Sequence, residues 1–222
     1  MRLTVGKKLI GGYLLVSVLM FGMGFYSISE TWKVYLDGKE LGEHRMPAVA
    51  ASSALKADVT DAQRAVLRHV LDRNPDVLAT IEKDFQAFLT SYDENAESYR
   101  KLLASDKERA AFTALQETYG KYRDALREML ELSKADRKAE ATAYQSKTLF
   151  PLYSEMNQQI KALIAYDLER GTEANQRALT RVNVAFYSLL AVVALIIALA
   201  LSIGFFISRQ ITRNLGMVSK AA

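Results

Sequence analysis

The chain has 222 residues, half of them hydrophobic, with 29 Lys and Arg against 25 Asp and Glu, a formal net charge of +4, and no cysteine. The missing cysteine excludes a disulfide framework and thiolate metal sites, and two histidines leave little for a zinc centre. Six of the bases, Arg2, Lys7, Lys8, Arg209, Arg213 and Lys220, flank two long apolar runs, so the remainder is slightly acidic and the basic balance does not point to nucleic acid.

The first apolar run covers residues 9–28 and holds no charged side chain. A helix needs about 20 such residues to cross roughly 30 Å of hydrocarbon, so the run reads as a transmembrane helix. It is longer than the usual apolar region of a signal peptide, and Ser29, Glu30, Thr31 and Trp32 supply no small-residue cleavage site, so an uncleaved anchor is expected. Tyr26, Trp32 and Tyr35 fit an aromatic belt at its outer end. Bases before the run place residues 1–8 in the cytoplasm by the positive-inside rule.

Residues 29–183 carry charge throughout, have no alternating β-branched run, and repeat apolar side chains in steps of three and four. That spacing of 3.5 is the seam of left-handed helix packing. In the first bundle helix it runs through Leu55, Val59, Ala62 and Val66, after Pro47, which opens a fresh helical stretch. Small residues at Ala50, Ala51, Ser52, Ser53 and Ala54 offer a face for a second copy of the chain. Asn74-Pro75 ends this helix.

The second helix carries Leu78, Ile81, Phe85, Phe88, Tyr92, Tyr99 and Leu103, and Ser105-Asp106 forms the turn and N-cap before the third. The third carries Phe112, Leu115, Tyr119, Tyr122, Leu126 and Met129. Lys134 to Asp136 precede the fourth, whose seam is Met156, Ile160 and Leu163. With Ser29 and Val184 at one level, the chain climbs to Arg73, falls to Ala104, climbs to Ala135 and falls back from Arg137, closing to within a turn. The closure requires Pro151 to lie inside the fourth helix, kinking it or splitting off residues 137–146.

Residues 184–207 form the second apolar run, with Phe186 and Tyr187 near its outer end and Arg209, Arg213 and Lys220 beyond it. The predicted fold class is therefore all-α: a membrane-anchored antiparallel four-helix bundle flanked by two transmembrane helices, both chain ends being cytoplasmic. From Pro151 to Ile211 no proline interrupts, enough for one continuous rod.

Beyond the second run, Ile207-Ser208-Arg209-Gln210-Ile211-Thr212-Arg213-Asn214-Leu215 resembles the start of a HAMP linker, commonly I-x-R-x-I-T-x-P-L, with Asn214 in the place of proline. With Lys7-Lys8-Leu9-Ile10-Gly11 leading into the first run, the layout is similar to methyl-accepting chemotaxis proteins, and residues 208–222 would begin the HAMP module. The resemblance implies a homodimer in the bacterial inner membrane with a periplasmic sensor. There a small solute, a carboxylate or amino acid, displaces the last helix and informs cytoplasmic signalling partners through the HAMP module. Sensor histidine kinases and cyclases share this front half.

The stretch Arg64, Arg68, His69 and Arg73 is the candidate ligand face. Continuing the seam from Val66 places His69 and Arg73 at core positions, where charge requires a partner. Arginine suits carboxylates because its planar fork donates two parallel hydrogen bonds. The aspartate- and serine-sensing chemoreceptors carry three arginines spaced five and four apart on this helix, a pattern that Arg64, His69 and Arg73 resemble with histidine in the middle. The bland alternative is a solvated face, since a straight helix drifts about 20° per heptad and can hand the seam to Val70. Counting levels on the descending helix nominates Tyr144, Thr148, Phe150 and Tyr153 as the opposite wall, with core packing as the ordinary role of the rings and a surface position for Thr148. Glu140 lies level with Arg73 as a plain salt-bridge partner.

No enzyme is expected. The residues three before His44 and His69 are Leu41 and Val66, not the glutamates of a di-iron bundle. No cofactor is expected either, although a haem between His69 and Met129 or Met156 is the one open alternative. A membrane-tethered scaffold binding a partner protein fits the heptads equally well.

Overall fold

The computed structural model describes residues 5–218, which are helical except for three short connections and contain no strand. In chain order the elements are α1 (Val5–Glu40), a π-helical turn (Leu41–Arg45), α2 (Met46–Leu71), α3 (Pro75–Arg100), α4 (Asp106–Lys134), α5 (Lys138–Tyr144), a second π-helical turn (Gln145–Leu149) and α6 (Phe150–Val218). The chain divides into two compact units, Lys39–Ala174 and the pair of segments Met1–Gly38 and Asn175–Ala222.

The first unit is the bundle, and its connections follow from their residues. Proline at the start of α3 drives Asn74 to extended backbone (φ −80°, ψ 119°), so α2 stops at Leu71, two residues short of the Arg73 end expected from the sequence. The Asn74 side chain accepts the Asp76 N–H at 3.0 Å. Ser105 caps α4 in a reciprocal box in which its hydroxyl accepts the Glu108 N–H and the Glu108 carboxylate accepts the Ser105 N–H. After α4, Asp136 takes a left-handed φ of 56°. The Arg137 N–H then reaches Leu132 O and the Asp136 N–H reaches Ser133 O, closing off two terminal carbonyls in a Schellman motif.

Both mid-helix prolines follow a π turn. Met46 donates to Leu41 O and Phe150 to Gln145 O, each five residues back, and Pro47 and Pro151 come next. Widening the helix there shifts the carbonyl ladder ahead of a residue that has no N–H. Pro151 thus sits inside the descending helix without ending it, as the level count required.

The expected seams are the core. Leu55, Val59, Ala62 and Val66 meet Ile81, Phe85, Tyr92 and Tyr99, with Phe112 to Met129 of α4 and Met156, Ile160 and Leu163 of α6 closing the interior. Phe88 and Leu103 pack only half-buried at its edge, and Leu78, expected in the same seam, is half-buried outside it. The rings of Tyr92 and Tyr119 stack at 3.5 Å, and Tyr122 donates to Val59 O at 3.0 Å, so a bulky phenol stays inside with its hydroxyl satisfied.

In the second unit, two helices are long and apolar enough to cross a membrane. Gly12 faces Ile203, where an added Cβ would stand 3.0 Å from its Cδ1, a close approach of the kind small residues permit between membrane helices. Nearer the other end of this unit, the buried Asp37 carboxylate is paired by Arg181 at 2.6 Å and Arg177 at 3.6 Å.

Candidate functional site

A cavity of about 700 Å³ opens at the end of the bundle where α2 turns into α3 and α4 turns into α5. Its floor is His69. The seam that begins at Leu55 holds as far as this histidine, which is 2% exposed, and Val70 beside it is buried too. The imidazole joins three helices: Nδ1 lies 2.8 Å from Ser133 Oγ on α4, and Nε2 lies 3.4 Å from Glu82 Oε1 on α3.

Glu82 turns its other oxygen to Lys134 Nζ at 2.9 Å. The Lys134 hydrogen bond, and then that of His69, holds the Glu82 carboxyl below its ordinary range, while Glu82 raises the Lys134 ammonium. At the rim, Asp72 accepts the backbone N–H groups of Asn74 and Arg73, which lower its carboxyl. Lys138 reaches across from α5 to Asp72 O at 3.0 Å. Arg73 and Asp136 complete the charged rim, and Pro75, Leu78 and Ala79 form an apolar wall. Three cations stand against three carboxylates around a buried imidazole, a lining that can hold a small polar solute by both its charged ends.

The eight residues singled out in the sequence do not converge. His69 and Arg73 line this cavity, but Arg73 lies in the connection beyond α2 rather than on the helical seam. Arg64 and Arg68 line a separate shallow cleft of about 120 Å³ between α2 and α3, beside Asp84 and Phe88. The Arg64 side chain is 73% exposed and pairs with Asp61 at 2.9 Å, the arrangement of a solvated face.

Tyr144, Thr148, Phe150 and Tyr153 line neither cavity. Tyr144 is half-buried at the end of α5, where burial, then the charges of Glu128 and Asp124, raises its phenol. Thr148 is half-buried in the π turn and Phe150 exposed. Tyr153 packs beside Tyr122 and places its hydroxyl 3.4 Å from Thr60 Oγ1. That contact keeps the register which set Arg64 level with Leu149, four residues away on each helix. Glu140 is engaged by Arg137.

Sequence reasoning missed Glu82, Ser133, Lys134, Asp136 and Lys138. Only the turn signals around Pro75 and Asp136 bore on them, by fixing which helix ends meet. Among the described residues no group of three or more His, Asp or Glu side chains is arranged to hold a metal ion.

A four-helix bundle with an open, charge-lined end, in a chain that also carries two candidate spans, has the architecture of a receptor's sensory part. The family comparison agrees: residues 2–182 match the four-helix-bundle sensory module for signal transduction, and the chain belongs to that family, which serves chemotaxis-type, methyl-accepting receptors. No curated protein matches the chain.

Proposed function

We propose that the chain is the sensing and membrane-crossing part of a non-catalytic chemoreceptor. It takes a small carboxylate or amino acid in the cavity above His69 and passes the event through α6 to a HAMP module and cytoplasmic partners. The observation that carries this reading is the cavity itself, because it brings donors and acceptors of α2, α3, α4 and α5 around one solute-sized space. A solute that binds one arrangement of those helices better than another shifts their population, which is all a receptor needs.

The rest of the reading draws on sequence. Bases outside both apolar runs favour cytoplasmic ends, a bacterial inner-membrane location and a periplasmic bundle. Residues 208–215 supply the HAMP-like exit. Ala50 and Ser53 are exposed on α2 and offer a close-approach face for a homodimer, while Ser52 turns inward to Ala48 O.

Calorimetry of the chain in lipid nanodiscs, against amino acids and organic acids, tests the solute class and the site together. One binder is expected, weakened about tenfold by Arg73→Ala, the effect of losing one charged hydrogen bond. Arg64→Ala is expected to bind normally. Affinity unchanged in Arg73→Ala and lost in Arg64→Ala would move the site to the α2–α3 cleft, and no binder in the panel would remove the solute class.

A further inference from the structure

At the opposite end of the bundle a second polar cluster is sealed from solvent. Arg45 in the first π turn, Tyr99 near the end of α3, Glu108 in the capping box of α4 and Asp167 on α6 are 6%, 1%, 2% and 1% exposed. One side chain from each of the four rods meets here. Arg45 Nη1 stands 2.5 Å from Glu108 Oε1 and 3.4 Å from Asp167 Oδ1, and Tyr99 donates its hydroxyl to Asp167 Oδ2 at 2.9 Å. Glu40 also pairs with Arg45, at 3.4 Å, from a half-buried position. On α6 itself, Arg170 binds Glu173, and Tyr166 lies against Ser105 and under Lys107.

The charges do not balance. Two deeply buried carboxylates share one guanidinium, and a buried charge without a full partner is costly. The two acids are not equivalent. Glu108 accepts from the Ala104 and Ser105 N–H groups at 2.7 Å each, from the Ser105 hydroxyl and from Arg45, so its ionised form is well held. Asp167 accepts one phenol and an Arg45 contact of 3.4 Å, longer than the one to Glu108. Desolvation together with the neighbouring Glu108 charge leaves Asp167 above the usual carboxylate range, whereas the Arg45 and backbone hydrogen bonds leave Glu108 below it.

We propose that Asp167 is a proton-operated latch between α6 and the other three rods, closed while its carboxyl holds a proton taken from solvent and released when that proton returns to solvent. In the protonated form Tyr99 still donates to Oδ2, and Arg45 keeps its charge as the balanced partner of Glu108. On ionisation two deeply buried carboxylates share one guanidinium, and α6 relieves that cost by moving relative to α2, α3 and α4 to hydrate Asp167. The latch gives the receptor a response to external pH that does not depend on which solute fills the cavity at the other end. Gly171, one turn beyond Asp167, supports the same junction: a Cβ there would meet Leu41 Cδ1 at 3.4 Å and Arg45 Cβ at 3.6 Å, so α6 runs close against the π turn.

The test uses the full chain in lipid nanodiscs. Because the sequence has no cysteine, the double variant Thr113→Cys on α4 and Glu169→Cys on α6 takes one spin label on each helix. Infrared spectroscopy is expected to show a buried protonated-carboxyl band that titrates above the ordinary aspartate range and is absent in Asp167→Asn. The label distance is expected to change with the same midpoint and to be fixed in that variant.

Tyr99→Phe removes a donor to the ionised form and is expected to raise the midpoint by about one pH unit. A label distance that does not respond to pH, or a response that survives in Asp167→Asn, overturns the latch. If Asp167→Asn does not fold, Tyr99→Phe decides alone: a higher midpoint supports the proposal and an unchanged one refutes it.

Discussion

Single residues set the geometry of the cavity. Asp136 closes the end of α4 in the left-handed region, where an L side chain is disfavoured and glycine is not. Asp136→Gly is therefore expected to stabilise the bundle by about 0.5–1 kcal/mol, measured by urea unfolding followed by circular dichroism. A loss of stability would mean that the Asp136 carboxylate does more than occupy the rim. Glu82 gives a pH signature.

Lys134 and His69 depress the Glu82 carboxyl in the folded state, so its contribution is present above the unfolded value of about 4.5 and is lost as pH falls through the folded value. It is half exposed, so the effect is modest and weakens with salt. Asp167 has the opposite sign: its folded value is raised, so its ionisation costs stability as pH climbs past the unfolded value. Thermal melts of wild type and Glu82→Gln across that range should therefore converge on acidification, and a gap that stays constant would show that Glu82 acts through packing alone.

At the scale of elements, capping residues hold the loops that shape both ends. Ser105→Ala removes one half of the box at the start of α4 and is expected to cost about 1 kcal/mol in the same unfolding assay, with Ser105→Gly costing less. A cost near zero would mean that Glu108 alone satisfies the helix start. Much of this level was legible from residues: the step of three and four gave most of the core of every rod, Asn74-Pro75, Ser105-Asp106 and Lys134 to Asp136 marked the three connections, and the level count kept the descending helix continuous through Pro151.

The π turns were not legible, because nothing in Leu41–Arg45 or Gln145–Leu149 encodes five-residue bonding except the proline that follows. The candidate site was half legible for a related reason. His69 announced itself as a polar residue on an apolar seam, but Glu82, Ser133 and Lys134 meet it only through the folding of three helices. Arg73 was assigned to a helix that had already ended. The buried Arg45–Glu108–Asp167 set was invisible because charged residues so far apart in sequence look like ordinary surface.

For the whole molecule, the cavity and the buried ionic cluster make stability itself a readout of sensing. A solute that binds only the folded bundle adds free energy by mass action, about 2.7 kcal/mol at one hundred times its dissociation constant. Against the 5–15 kcal/mol typical of a domain that is a large fraction, and here the polar groups that α2, α3 and α4 bury around His69 are what it would order. A saturating ligand should therefore raise the melting temperature of the wild-type chain and slow amide exchange within Lys39–Ala174, most at the ends of α2 and α4 that border the cavity. In Arg73→Ala both effects should shrink together at the same ligand concentration. If the melting temperature rises equally in wild type and Arg73→Ala while exchange near His69 is untouched, the solute binds elsewhere on the bundle. The charged end above His69 would then be a structural feature of helix packing rather than the receptor's mouth.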